Sequence, residues 1–317
     1  MENKNLLISI DGERRDDMSD AQAELLRARA TWLMITEPGD QAAGAIIREH
    51  GPIVALQIAL NPESRFNSNF RRWQDRNPGE QRISEMLLVA AKDGQRLLIP
   101  EHHSWPHGLH DLRDTMPHGL WVRGDLDVLR RTKLAVAGSR ASTAYGAHVT
   151  AEFVSAFAQH RVTVIAGGAY GIDGAAHRAA IAVGLPTIAV QASALDRPYP
   201  QGHSELLRTI PDRGGLVLSE LAPGSAPTRW RFQQRGRLIA ALSRALIIPE
   251  AGARSSAIRV AHTARDLDRA VFAVPGPITS SASTGCHALI REHVAELVTD
   301  PEDLKRIALL PSETKEQ

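Results

Sequence analysis

The chain has 317 residues, 43% hydrophobic and 23% charged, an ordinary globular balance that is long enough for one sizeable α/β domain and a smaller one. A net charge of +1 excludes a generally basic coat of the histone kind, so any nucleic-acid site has to be a local gathering of arginine. The single cysteine, Cys286, excludes a disulfide framework or a cysteine-rich zinc site, and no run approaches the roughly 18 apolar residues of a membrane helix. The opening MENKNLLISIDGERRDD turns charged after a short apolar stretch and does not read as a signal peptide, so a cytoplasmic protein is expected.

Residues 1–16 are polar and expected to fray. A helical domain is expected over 17–75, where AQAELLRARATWLMI, QAAGAIIREHG and PIVALQIAL repeat apolar residues three and four apart. Gly51-Pro52 and Asn61-Pro62 punctuate it. The stretch from Ser64 to Arg82 is polar and rich in arginine, with a turn signal at Asn77-Pro78-Gly79. A larger domain is expected over 83–310, opening with one helix and the short strands RLLIP and GLWVRG. Its core, 133–300, repeats a strand–glycine–helix unit through LAVAG, VTVIAGG, TIAVQ, GLVLSE, ALIIPE and AVFAVPG. Short, nearly uninterrupted apolar runs are the mark of parallel strands covered on both faces. The expected fold is therefore a doubly wound, mostly parallel Rossmann-like α/β sheet with a smaller helical N-terminal domain.

Ligands of such a sheet sit beyond the carboxyl ends of its strands. Three glycine loops are placed there: Gly138-Ser139-Arg140-Ala141-Ser142, Gly167-Gly168-Ala169-Tyr170-Gly171, and Glu250-Ala251-Gly252. Glycine lets a backbone amide approach a phosphate, and the following helix points its positive end at the anion. A dinucleotide fold requires G-x-G-x-x-G after its first strand and an acid at the end of the second. The first loop reads G-S-R-A-S-T-A and the second strand ends Ala166-Gly167-Gly168, so no NAD site is expected. There is no G-x-x-x-x-G-K-[ST] either. Between Glu220 and Glu250 the chain has five arginines, Arg229, Arg231, Arg235, Arg237 and Arg244, no acid, and Trp230 and Phe232 interleaved. Arginine beside aromatics suits a site that follows a polynucleotide backbone and stacks on its bases.

Candidates for chemistry are weaker. Asp173 and His177 share a helix face, but an N-terminal acid and a packed histidine explain them as well as a dyad does. Ser139 or Ser142 as a nucleophile would need a histidine base that the sequence does not place. His102 and His103 are neighbours, which on a strand would point them to opposite faces, so no metal site is expected. Cys286 reads as a small buried hydrophobe. No catalytic residue is assigned.

These residues resemble the DprA (Smf) family of DNA-processing proteins. The matching stretches are Val136–Arg140 with Tyr145-Gly146, Ala166–Asp173 with Ala176-His177, Leu195-Asp196 with Tyr199-Pro200, and Leu218-Ser219-Glu220 with Pro223-Gly224. They continue through Arg235–Ala240 and Glu250-Ala251-Gly252 to Phe272–Gly276. The resemblance implies an extended Rossmann-like protein that forms a homodimer, binds single-stranded DNA and loads a RecA-type recombinase in natural transformation, without a cofactor. It places Arg140 in a phosphate pocket, with Arg229 and Phe232 ahead of the Arg235–Arg237 pair. The implied contact set is Gly138, Ser139, Arg140, Ser142, Gly167, Gly168, Gly171, Arg229, Phe232, Arg235, Arg237 and Gly252. Gly236, Ser256 and Tyr170 depart from the family pattern, and the winged helix of some relatives has no counterpart. Where the family's helical part often carries a glycine hairpin, this chain reads Glu37-Pro38-Gly39-Asp40, and its two acids argue against a DNA contact there. The alternative is a nucleotide phosphoribohydrolase of similar fold. It would require a carboxylate on the helix after the third loop, which reads SAIRVAHTA.

Overall fold

The computed structural model describes residues 19–308, so the expected frayed N-terminus lies outside the described residues. In chain order the elements begin with α1 (Asp20–Ile35), α2 (Gln41–His50), α3 (Pro52–Leu60), α4 (Ser68–Arg76), α5 (Glu80–Lys92), β1 (Arg96–Leu98) and β2 (Leu120–Gly124). They continue with β3 (Thr132–Val136), α6 (Ala144–Ser155), β4 (Val162–Gly167), α7 (Ile172–Ala182), β5 (Thr187–Gln191), α8 (Ser204–Asp212) and β6 (Leu216–Ser219). The rest are α9 (Arg229–Leu242), β7 (Ala245–Ile248), α10 (Ser256–Asp266), β8 (Ala270–Ala273), α11 (Thr284–Arg291), β9 (Glu296–Leu297) and α12 (Pro301–Ala308).

These elements form two compact units that interleave along the chain. The first takes the chain up to Arg123 with Gln191–Tyr199 and Val217–Arg235; the second takes Gly124–Val190, Pro200–Leu216 and the chain from Gly236 onward. The limits 17–75 and 83–310 expected from chain order do not express this interleaving.

The first unit is built on helices. Ser19 opens α1 with a reciprocal capping box to Gln22, and Asp40 caps α2 by accepting from the Ala43 amide. Trp32, Ile35, Ala43, Ile47, Ala55, Ala59 and Trp73 form its apolar core. Trp32 and Trp73 meet edge to face, with ring centroids 5.3 Å apart at 82°. Both indole N–H groups are satisfied: Trp32 Nε1 donates to the Pro52 carbonyl and Trp73 Nε1 to Asp40 Oδ2, each at 3.0 Å. The arginine-rich stretch read from the sequence as polar chain thus contains a helix, α4, anchored by one buried side chain, Trp73. Strands β1 and β2 pair antiparallel, Leu97 opposite Trp121.

In the second unit β5, β4, β3, β7, β8 and β9 lie in that order and all pair parallel. Strands β4, β5 and β7 are buried throughout and β3 from Leu134 on, and Val, Ile, Leu, Ala and Thr make up nearly all of these buried stretches, which accounts for their apolar runs. The chain runs from β3 outward to β4 and β5, then returns to β7 on the other side of β3. Helices α6 and α7 pack together and α10 packs on α11, as right-handed crossovers on the two sides require. The mostly parallel, doubly wound architecture expected from the sequence is the one observed. The strand order reverses between β3 and β7, and at such a point the loops beyond the two strands diverge into a crevice.

Candidate nucleic-acid interface

The three glycine loops leave β3, β4 and β7, neighbours in the sheet, so the fold brings them to one edge. Backbone hydrogen bonds join them. Ser139 N donates to the Glu250 carbonyl at 2.8 Å, linking the first loop to the third, and Ile172 N donates to the Ser139 carbonyl at 3.1 Å, linking the second to the first. The Glu250 carboxylate, 2% exposed, accepts from Thr143 N at 3.0 Å and from the Thr143 hydroxyl. Thr143 in turn caps α6, its hydroxyl accepting from Gly146 N at 3.2 Å.

Two glycines are required by close approach. A Cβ on Gly138 would lie 2.5 Å from the Ile172 side chain and 2.7 Å from the Glu250 carbonyl. Gly171 has φ +75°, and a Cβ there would lie 2.2 Å from the Ser139 carbonyl oxygen.

The second loop is held from beneath by buried side chains. His177 Nε2 lies 2.8 Å from the Gly167 carbonyl and His203 Nδ1 lies 3.1 Å from the Gly168 carbonyl. Asp173 Oδ2 accepts from Ala169 N at 3.2 Å. Asp173 and His177 therefore shape the loop from inside, and both are buried. Tyr170 stands above, half exposed, edge-on to His203 with centroids 4.8 Å apart.

The amides of Ala141, Ser142, Tyr170 and Gly171 make no backbone hydrogen bond among the described residues. Arg140 is exposed beside the first pair. Gly167 and Gly168 are buried, and their carbonyls serve the two histidines. Gly252 is half-buried in a loop tied to α11, where Gly285 N donates to the Ala251 carbonyl at 2.7 Å.

The arginine cluster divides. Arg229, Phe232 and Arg235 lie on the first two turns of α9 and belong to the first unit; Arg237 belongs to the second and is 7% exposed. Phe232 is half-buried between Tyr199, 5.5 Å away at 65°, and the Arg235 guanidinium, 5.8 Å from its ring centroid. Trp230 is 49% exposed. Arg231, which the local sequence leaves without an acid, makes a two-point pair with Glu37, Nε to Oε2 at 2.9 Å and Nη2 to Oε1 at 3.0 Å.

Sequence reasoning missed Thr143, the Glu250 carboxylate and His203. A threonine before a helix start could have signalled the first. Nothing local announces a bond across 107 residues between Thr143 and Glu250.

One expectation is corrected. His102 and His103 are not on a strand but in a turn, with rings 4.2 Å apart rather than on opposite faces. Among the described residues no group of three or more histidine, cysteine, aspartate or glutamate side chains could hold a metal ion. Cys286 is buried in α11, its Sγ donating to the Ile248 carbonyl at 3.5 Å. Burial pushes its thiol up to about 11.

A family model described as DNA recombination-mediator protein A matches residues 96–308. The chain belongs to that family. Among DprA relatives, a DNA processing protein DprA of Mycobacterium tuberculosis is 41% identical over 294 residues, spanning 88% of this chain and 74% of the relative. The Smf protein of Escherichia coli is 39% identical, spanning 70% of this chain and 59% of its own length. The crystal structure of DprA from Streptococcus pneumoniae superposes with a TM-score of 0.73 at 31% identity, covering 91% of this chain and 98% of that one. DprA from Helicobacter pylori, whose structure was reported for its mode of binding single-stranded DNA, superposes with a TM-score of 0.61 at 27% identity over 68% of this chain and 95% of its own.

Proposed function

We propose that this DprA-family chain binds single-stranded DNA by its phosphates at the glycine loops and hands the strand to a RecA-type recombinase, acting as a homodimer and without chemistry of its own. The observation that carries this is the locked set of loops at the strand-order reversal, with the amides of Ala141, Ser142, Tyr170 and Gly171 left without a backbone partner among the described residues next to exposed Arg140. Amides fixed by bonds behind them meet an anion without reorganising, and a guanidinium adds a two-pronged donor. Gly138 serves by letting the first loop approach the second and third, Ser139 by joining them, and Gly167, Gly168 and Gly252 complete the set that the family resemblance implies. On the first unit, Arg229 and Arg235 contribute phosphate contacts and Phe232 an aromatic contact, as the family resemblance implies, whereas Arg237 is buried. Binding through phosphates tolerates any sequence.

The test is equilibrium binding of a labelled single-stranded oligonucleotide to wild type and Arg140→Ala. The variant should bind about tenfold more weakly or worse, a difference of ~1.4 kcal/mol, with an unchanged thermal midpoint. Equal affinity would remove Arg140 from the site. Recombinase loading is read from strand exchange on coated single strands, which Arg140→Ala should fail to stimulate. Release of a free base from nucleoside monophosphates would overturn the non-catalytic part and favour the phosphoribohydrolase alternative.

A further inference from the structure

The acids of the Glu37–Asp40 turn argued against a nucleic-acid contact from the helical unit, and the ion pairs within that unit remove the objection. Asp40 is consumed structurally. Its carboxylate caps α2, accepts from Trp73 Nε1 at 3.0 Å and pairs with Arg72 at 2.6 Å. Glu37 takes Arg231 at 2.9 Å and Arg76 at 3.5 Å, which brings the last turn of α4 to the first turn of α9. Asp75, the one acid of α4, pairs with Arg65 at 2.5 Å. Residues 37–40, 63–76 and 229–231 together hold four acids, Glu37, Asp40, Glu63 and Asp75, and six arginines, Arg65, Arg71, Arg72, Arg76, Arg229 and Arg231. The excess is positive. It is concentrated at Arg71 and Arg229, which are exposed and make no ion pair among the described residues.

The same unit also carries bare aromatic surface. Phe66, in the turn leading into α4, is 91% exposed, whereas Phe70 on the helix packs on Trp73 with centroids 5.6 Å apart at 29°. Trp230, next to Arg229, is 49% exposed. Folding gives no reason to hold a phenyl ring in water, and a surface of guanidinium groups with open rings has the composition that follows a backbone and stacks on unpaired bases.

We propose that α4 and its leading turn form a second contact for single-stranded nucleic acid, Arg71 meeting a phosphate and Phe66 stacking on a base. This goes beyond the glycine loops but depends on the strand-binding role proposed for them. Duplex would offer phosphates without accessible base faces, so the ring at Phe66 selects unpaired strands.

The experiment compares wild type, Arg71→Gln, Phe66→Ala and Arg140→Ala in binding a long single-stranded oligonucleotide, the corresponding duplex and polyglutamate over a range of salt. Arg71→Gln should weaken single-strand binding about fivefold and reduce the salt slope by about 0.7, one phosphate contact. Phe66→Ala should weaken it by a similar factor and leave the slope unchanged. Neither residue has a packing role, so thermal midpoints should match wild type. If both variants bind like wild type while Arg140→Ala is weak, the loops keep their role and the α4 contact is wrong. If Arg71→Gln loses polyglutamate or duplex as strongly as single strand, the face recognises acid in general and the proposal also fails. A wild type that binds no single strand overturns the loop role first, and the α4 contact with it.

Discussion

Lys133 shows how one residue couples the sheet to pH. It lies on β3, and its ammonium donates to the carbonyls of Leu129 at 2.8 Å and Arg131 at 2.9 Å. Burial lowers its pKa from 10.5 to about 8. The folded chain therefore gives up this proton at lower pH than the unfolded chain does. Between about 8 and 10.5 the unfolded state binds more protons, so this residue's contribution to stability rises with pH through that window and is level below it. The check is denaturant unfolding of wild type and Lys133→Met across the window. The stability of wild type relative to the variant should climb with pH, and a flat difference would show that the ammonium is not desolvated. Arg231 makes the complementary point about legibility. Its neighbours in sequence contain no acid, yet its partner Glu37 lies 194 residues away. A charge count along the chain finds clusters of one sign but not the long-range carboxylates that neutralise them.

At the scale of elements, the strands of the second unit were readable because burial on both faces leaves each a short, plain apolar run. Helix α4 was not. Its apolar side is only Trp73 and the half-buried Phe70 packed on it, amid arginine, amide and acid, which is too short a stripe to stand out in the sequence. Strand β9, two exposed residues long, left no pattern either. The glycine loops were found by composition, but their mutual locking was not, because it is made by backbone groups that every residue possesses. Gly171 tests that locking. Its positive φ and the Ser139 carbonyl 2.2 Å from a notional Cβ leave no room for a side chain. Gly171→Ala should lose roughly 2–4 kcal/mol in urea unfolding and weaken single-strand binding beyond that loss, since the loop's backbone would turn. Unchanged unfolding would mean that the loops are not held against one another.

For the whole molecule, the net charge of +1 makes binding depend on where charge is gathered rather than on how much there is. If the proposed interface neutralises four phosphates, log K should fall against log salt with a slope of about −3 for a single strand. A titration of binding against salt measures this directly, and a slope near zero would remove phosphate contacts as the source of affinity. By itself the sequence determined the fold class and where the glycine loops lie, and it put Arg140 forward as a candidate, because apolar period and glycine spacing are local and survive in one dimension. Only the tertiary structure decided which loop amides go without a backbone partner, that Arg237 is buried while Arg229 and Arg71 are not, and that the acids at Glu37 and Asp40 are spent on arginines. Each of those outcomes depends on groups far apart in the chain competing for the same partner, and that competition is settled only when the chain packs.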